Sequence, residues 1–277
     1  MRYDMKYVRI AVIILLAASL GIYGAGVTRE KSGEDPTMPV IESDREVLEI
    51  PVDYEETDLL EGLTASDEKD GDLTDQILVG EFSQFVEKGL CNVSYVVFDS
   101  SNQPATFSRQ VRFTDYVSPR LTLSEPLVFT VGQAESAVAR IGATDVLDGD
   151  ISSLIRQTDS DIDYRTAGSY TITVEVTNSF GDVETQTLPV HVTEPSRQEL
   201  EIELSGFLVY LTPGAEFDAA SYVQGLTDAY GEPMDTELVT VESGVDMDTE
   251  GCYEVHYQAE DENGREGETW MTVIVRA

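Results

Sequence analysis

The chain has 277 residues, 41% of them hydrophobic, and sets 17 Lys and Arg against 53 Asp and Glu for a net charge of -36. That apolar content is enough for real cores and excludes a chain disordered by composition. The charge excludes nucleic acid and anionic membrane surfaces as natural partners and favours cations and basic proteins, while keeping an exported chain soluble.

The first nine residues carry Arg2, Lys6 and Arg9, and an uncharged run follows from Ile10 to Thr28. A membrane-spanning helix takes about 20 apolar residues, and a secretory signal core only about 7–15. The run therefore reads as an N-terminal transmembrane signal-anchor over 1–28, with cleavage after Gly24 or Gly26 as the alternative. Basic residues before the span place the N-terminus inside and the remaining chain outside the cell membrane. Residues 29–37, polar and broken by Gly33 and Pro36, read as a flexible tether.

Beyond the tether one stretch is written three times. Gly168-Ser-Tyr-Thr-Ile-Thr-Val-Glu-Val-Thr-Asn178 matches Gly89 to Asp99 and Gly251 to Asp261, each with ten positions from the glycine to the Asp or Asn. Upstream, Asp67-Glu-Lys-Asp70-Gly-Asp72-Leu-Thr74 matches Asp145-Val-Leu-Asp148-Gly-Asp150-Ile-Ser152, and the third copy keeps only Asp228. The repeats run over 38–115, 116–195 and 196–277, about 80 residues each, an ordinary domain size. Within the long strand Tyr170, Ile172, Val174 and Val176 alternate with Thr171, Thr173, Glu175 and Thr177, the pattern of a strand with one buried and one wet face. Short strands with turn signals between them predict an all-β chain of three tandem immunoglobulin-like β-sandwiches.

The Asp-x-x-Asp-Gly-Asp pattern followed by Gly-x-Tyr-x-[Ile/Val] resembles the bacterial immunoglobulin-like repeats named after an insecticidal crystal protein, which are similar in style to hyalin-type and cadherin-like repeats. The first two copies carry the pattern well. The third lacks Asp-Gly-Asp, and the first has Cys91 where the others have Tyr170 and Tyr253. The resemblance implies the fold, and it implies a spacer or adhesive module on a cell surface.

Two acidic clusters, Asp67, Asp70, Asp72 and Asp145, Asp148, Asp150, are candidate calcium ligands, because calcium takes six to eight hard oxygens. The other reading is that each is an Asp-Gly turn, with carboxylates accepting from nearby backbone N–H groups. Turn chemistry needs no further ligands, which favours it. Asp99, Asn178 and Asp261 read as hairpin-turn residues. Trp270, the single tryptophan, aligns with the polar Ser108 and Thr187, so it reads either as a solvent-facing platform for a sugar ring or as a residue packed at an edge or against the neighbouring repeat. Cys91 is expected to be a buried thiol and Cys252 a more exposed one. His191 and His256, the only histidines, lie on different repeats and are not expected to form a catalytic dyad or a zinc site with each other.

No phosphate-cradling glycine loop, nucleophile elbow or metalloprotease helix motif is present, and a small sandwich rarely encloses the cleft that a glycosidase pair needs. The expected protein is therefore a non-enzymatic, membrane-tethered rod with no cofactor except calcium. Its partner is expected to be a surface protein or a glycan, either directly or as an accessory subunit of an extracytoplasmic complex.

Overall fold

The computed structural model describes residues 37–277 other than 134, together with residues 15, 16, 19 and 20. Apart from those four residues the expected span lies outside the described residues, as does the tether before residue 37. Among the described residues no helix is long and apolar enough to cross a membrane.

The chain is all-β from Val40 onward, its helical content reduced to 3-10 turns of three or four residues. The strands fall into six sheets, in three consecutive pairs. In the first repeat β1 (Val40–Ser43), β3 (Leu63–Asp67) and β4 (Gly71–Asp72) form one sheet. β2 (Val47–Ile50), β7 (Pro104–Phe113), β6 (Leu90–Phe98) and β5 (Leu78–Phe82) form the other, in that order. The second repeat copies this. It sets β8 (Arg120–Leu123), β10 (Ile141–Asp145) and β11 (Gly149–Asp150) against β12 (Arg156–Ser160), β13 (Gly168–Thr177), β14 (Val183–Thr193) and β9 (Val128–Thr130). In the third repeat the small sheet has only β15 (Leu200–Leu204) and β17 (Val223–Asp228). The large one runs β16 (Leu208–Leu211), β20 (Glu266–Val275), β19 (Gly251–Glu260), β18 (Val239–Ser243). β9 and β16 join their sheets in parallel, whereas β13–β14 and β19–β20 are long antiparallel hairpins.

The alternation of apolar residues selects the buried face. Val93, Tyr95 and Val97 of β6 are buried, as are Ile172, Val174 and Val176 of β13 and Val255, Tyr257 and Ala259 of β19. Two of these tyrosines carry a hydroxyl into the core, and each finds a carbonyl there. Tyr95 donates to Leu59 O at 2.9 Å and Tyr257 to Ala219 O at 2.8 Å. The first repeat adds a buried arginine, Arg109, whose guanidinium donates to Leu59 O at 2.6 Å and Glu61 O at 2.7 Å. It thus ties down the loop between β2 and β3.

Two compact units divide the chain. Of the described residues from 37 onward, one comprises those to 83 with 91–112, and the other comprises 84–90 with 113–277. The second unit therefore holds both the second and third repeats. Within it Phe85, Phe113, Tyr116 and Phe180 form an aromatic cluster, with Phe85 centroids 4.8 Å from both Tyr116 and Phe180.

Leu188 is fully buried in the second repeat's core. Leu188→Ala is expected to lower stability by about 2–5 kcal/mol. Val183→Ala at a half-exposed position on the same strand should change it by no more than about 0.5 kcal/mol. Urea denaturation followed by far-UV circular dichroism distinguishes them.

Candidate functional site

The acidic residues sit where a strand gives way to a tight turn. Asp67 ends β3, and its Oδ1 accepts from the N–H groups of Lys69 at 2.8 Å and Asp70 at 3.0 Å. Asp145 ends β10 and does the same for Leu147 and Asp148. Asp72 accepts from the Thr74 N–H, and Asp150 from both the N–H and hydroxyl of Ser152. The Ser152 hydroxyl is the larger cause holding the Asp150 carboxyl below its usual pKa. Asp70 reaches the Ser100 N–H at 2.9 Å, and Asp148 reaches Ser179 N–H at 2.6 Å. The carboxylates thus stitch turns together and do not converge on one point. Among the described residues no group of three or more His, Cys, Asp or Glu is placed to hold a metal. The shortened third copy keeps this device, for Asp228 accepts from Tyr230 and Glu232 N–H.

The hairpin ends behave alike. Asp99, Asn178 and Asp261 accept from the backbone N–H four residues on, and the Asp261 carboxyl falls to about 2, chiefly through the Arg265 N–H. The left-handed position in these turns is Gly181 and Gly264 in two repeats. In the first it is Asn102, at φ 62°, the one non-glycine residue with positive φ among those described.

Of the two readings of Trp270, the structure shows packing against the neighbouring repeat and not the solvent-facing platform. It stands on the outward face of β20, opposite His256 of β19, but that face is covered by the second repeat. His191 of β14 stacks on one side of the indole with centroids 4.0 Å apart, and His256 stacks on the other at 4.1 Å. Both faces on which a sugar would stack are therefore taken by imidazoles. The two histidines lie on different repeats, and the packing of those repeats sets them on opposite faces of the indole. A sequence comparison shows which strand face a residue occupies, but not that another repeat lies against that face.

Around the sandwich is a joint. His191 Nε2 lies 2.5 Å from Glu254 Oε1, and His191 Nδ1 is 3.2 Å from Ser169 Oγ. His256 Nε2 is 3.4 Å from Glu268 but not aligned for a hydrogen bond. Burial is the main cause lowering the His256 pKa, with the Glu268 charge opposing it. Nearby, Ile274 and Cys252 from the third repeat pack into the second repeat's core with Leu208 and Tyr210. Tyr210 donates nothing to its own repeat; its hydroxyl accepts from Leu121 N–H at 2.8 Å. Arg276 pairs with Glu184 at 2.6 Å and lies over the Tyr210 ring at 4.8 Å. Cys252 is the more exposed of the two thiols, as expected, and is half-buried at this joint. Burial and then Glu254 push its pKa up to about 11, where it is a poor nucleophile at neutral pH. Cys91 is fully buried and likewise raised to about 11 by burial. Both are free.

Ser169, His191 and Glu254 stand in the order of a catalytic relay, yet the strand pairing explains them without catalysis. Ser169 and His191 are direct partners across the β13–β14 ladder. A cavity of about 580 Å³ in the second unit, lined by Gln198, Glu203 and Thr269 among others, does not include them.

No protein-family profile matches the chain. It is 28% identical over 221 residues to the pesticidal crystal protein Cry22Aa of Bacillus thuringiensis, covering 77% of this chain and 29% of that protein. It is 27% identical over 172 residues to an uncharacterized 81.3 kDa protein of Acholeplasma phage L2, covering 61% and 22%. The chain thus spans under a third of the length of the curated relatives it matches. Among solved structures, Drosophila N-cadherin EC1-3 aligns with 88% of this chain and 90% of its own at 9% identity and a TM-score of 0.29.

Two outcomes follow from the joint. Ile274→Ala should cost about 2–5 kcal/mol and lower amide-exchange protection in β13 and β14, although the residue belongs to the third repeat. The half-buried His256 has a lowered pKa, chiefly through burial, so the unfolded chain binds more protons below its ordinary value of about 6.5. Its contribution is present above that pH and fades as pH falls through the folded-state value. Between pH 7.5 and 5 the wild type should therefore lose more stability than His256→Gln, as read by the fluorescence of Trp270.

Proposed function

We propose that the protein is a non-enzymatic, membrane-tethered surface module that holds its C-terminal repeats outside the cell as a spacer and interaction stalk, meeting a surface protein or glycan there. The observation that carries this reading is the joint between the second and third repeats. Its stacked rings, buried Ile274 and the Arg276–Glu184 pair turn two sandwiches into one block. A spacer needs such a block, since freely hinged sandwiches would not hold a distal surface at a set distance. The acidic surface supports it, because self-repulsion keeps an exposed chain soluble and apart from anionic membrane. The sequence likeness to Cry22Aa supports a repeat-module role, but it covers too little of that protein to bring a pesticidal activity with it.

The test is protease shaving of intact bacterial cells that make the full chain. The second and third repeats should be released as one resistant fragment, while residues 1–28 remain in the membrane fraction. With Ile274→Asp, cleavage is expected in the exposed 194–199 connection, so that the two repeats separate. A chain protected from protease in intact cells would overturn the outward orientation. Release of the repeats as separate pieces from the wild type would overturn the block.

A further inference from the structure

The three repeats face one electrostatic problem and solve it in different ways. In each, an aspartate at a strand end is withdrawn from water to hold the turn that follows. Its second oxygen then needs a donor or a positive charge, because an uncompensated buried carboxylate is strongly unfavourable. In the second repeat Asp145 Oδ2 accepts from Asn178 Nδ2 at 3.1 Å. In the third, the residue at the Asn178 position is a second carboxylate, Asp261. There the Arg265 guanidinium bridges both, 2.7 Å from Asp261 Oδ2 and 3.4 Å from Asp228 Oδ2.

The first repeat has the same frame without either solution. The contact of Asp70 with the Ser100 N–H repeats that of Asp148 with Ser179, so Asp99 stands where Asn178 stands. The pair is again two aspartates, Asp67 and Asp99, each only 7% exposed. The position of Arg265 is taken by uncharged Gln103, whose amide donates to Thr37 O at 3.0 Å. The nearest lysine on the turn, Lys69, directs its ammonium to Ser101 Oγ at 3.1 Å. Asp67 Oδ2 and Asp99 Oδ2 are both shut off from solvent with no hydrogen-bond partner.

We propose that a metal cation of the calcium class is bound between Asp67 and Asp99, taking in the first repeat the place that the Arg265 guanidinium fills in the third. Two carboxylates supply the anionic part of a hard-oxygen shell, and neutral oxygens complete it. Calcium suits the site better than magnesium, which gives up its waters reluctantly and demands a regular octahedron. The site is distinct from the Asp70 and Asp72 turn contacts, which are already made by backbone N–H groups.

The repeats themselves supply the test variants. Asp99→Asn installs the second repeat's solution, and Gln103→Arg installs the third's while keeping both aspartates. The full chain is stripped with chelator, and its melting is followed by circular dichroism as Ca²⁺ is added back. A cation bound only by the folded state at about a hundred times its dissociation constant should raise the wild-type transition by several degrees. Amide-exchange protection should rise in β3 and β6 and stay unchanged in β17 and β19. Each variant should lose the response and, in chelator, melt at or above the chelated wild type. Three results would overturn the proposal. The wild type may show no calcium response, or the response may survive in both variants, or the chelated wild type may gain the same stability from mild acid alone. The last would mean that the two carboxylates share a proton.

Discussion

A carboxylate withdrawn from water needs donors or positive charge around it, and that constraint organises each sandwich. In the small sheet a sharp turn follows β3 and β10 and leads straight back along the same strand, and the backbone N–H groups of that turn need acceptors. An aspartate at the strand end supplies them, and the hairpin of the long central strands closes on the same place. Asp67, Asp145 and Asp228 therefore lie at the meeting point of both sheets. The turn residue Asp-Gly is fixed by this chemistry, and so is the identity of the group that faces it across the sandwich.

The joint in the second unit follows a different logic. A sandwich strand has a buried face and an outward one, and the outward face of β19 and β20 is not polar throughout. Cys252, Trp270 and Ile274 alternate there with charged residues. Laid against the second repeat, these groups leave water, and the ionisable residues among them acquire partners: His191 with Glu254, Arg276 with Glu184. The aromatic rings are the filling rather than the readout of a ligand. The block that results is stiffer than two sandwiches on a six-residue connection would be, which is the property that the proposed spacer role requires.

Much of the fold was legible in the residues. The period-two alternation of β6, β13 and β19 marks the buried faces correctly, because alternation is set locally by the pleat. The turn chemistry was legible too, since Asp67 and Asp145 offer their carboxylates to backbone N–H groups two and three residues on. The surroundings of Trp270, Cys252 and the two histidines were not. Each sits on an outward strand face, and whether such a face meets water or another repeat depends on packing between segments some 80 residues apart. One signal was present: Trp270, Ile274 and Cys252 are too apolar for a wet face, where the aligned Thr187 is what a wet strand carries.

The sequence by itself determined the repeat length, the all-β class, the inward residues and the positions of the turns, because all of these follow from short-range periodicity and local hydrogen bonding. Tertiary structure decided which outward face is covered, which imidazoles meet the indole, and which of the three equivalent carboxylate sites has a built-in donor. Those outcomes rest on contacts between residues far apart in the chain. A single change at one of them, Arg265 to Gln103 or Asn178 to Asp99, alters the charge balance of a buried site without leaving a mark on the local pattern.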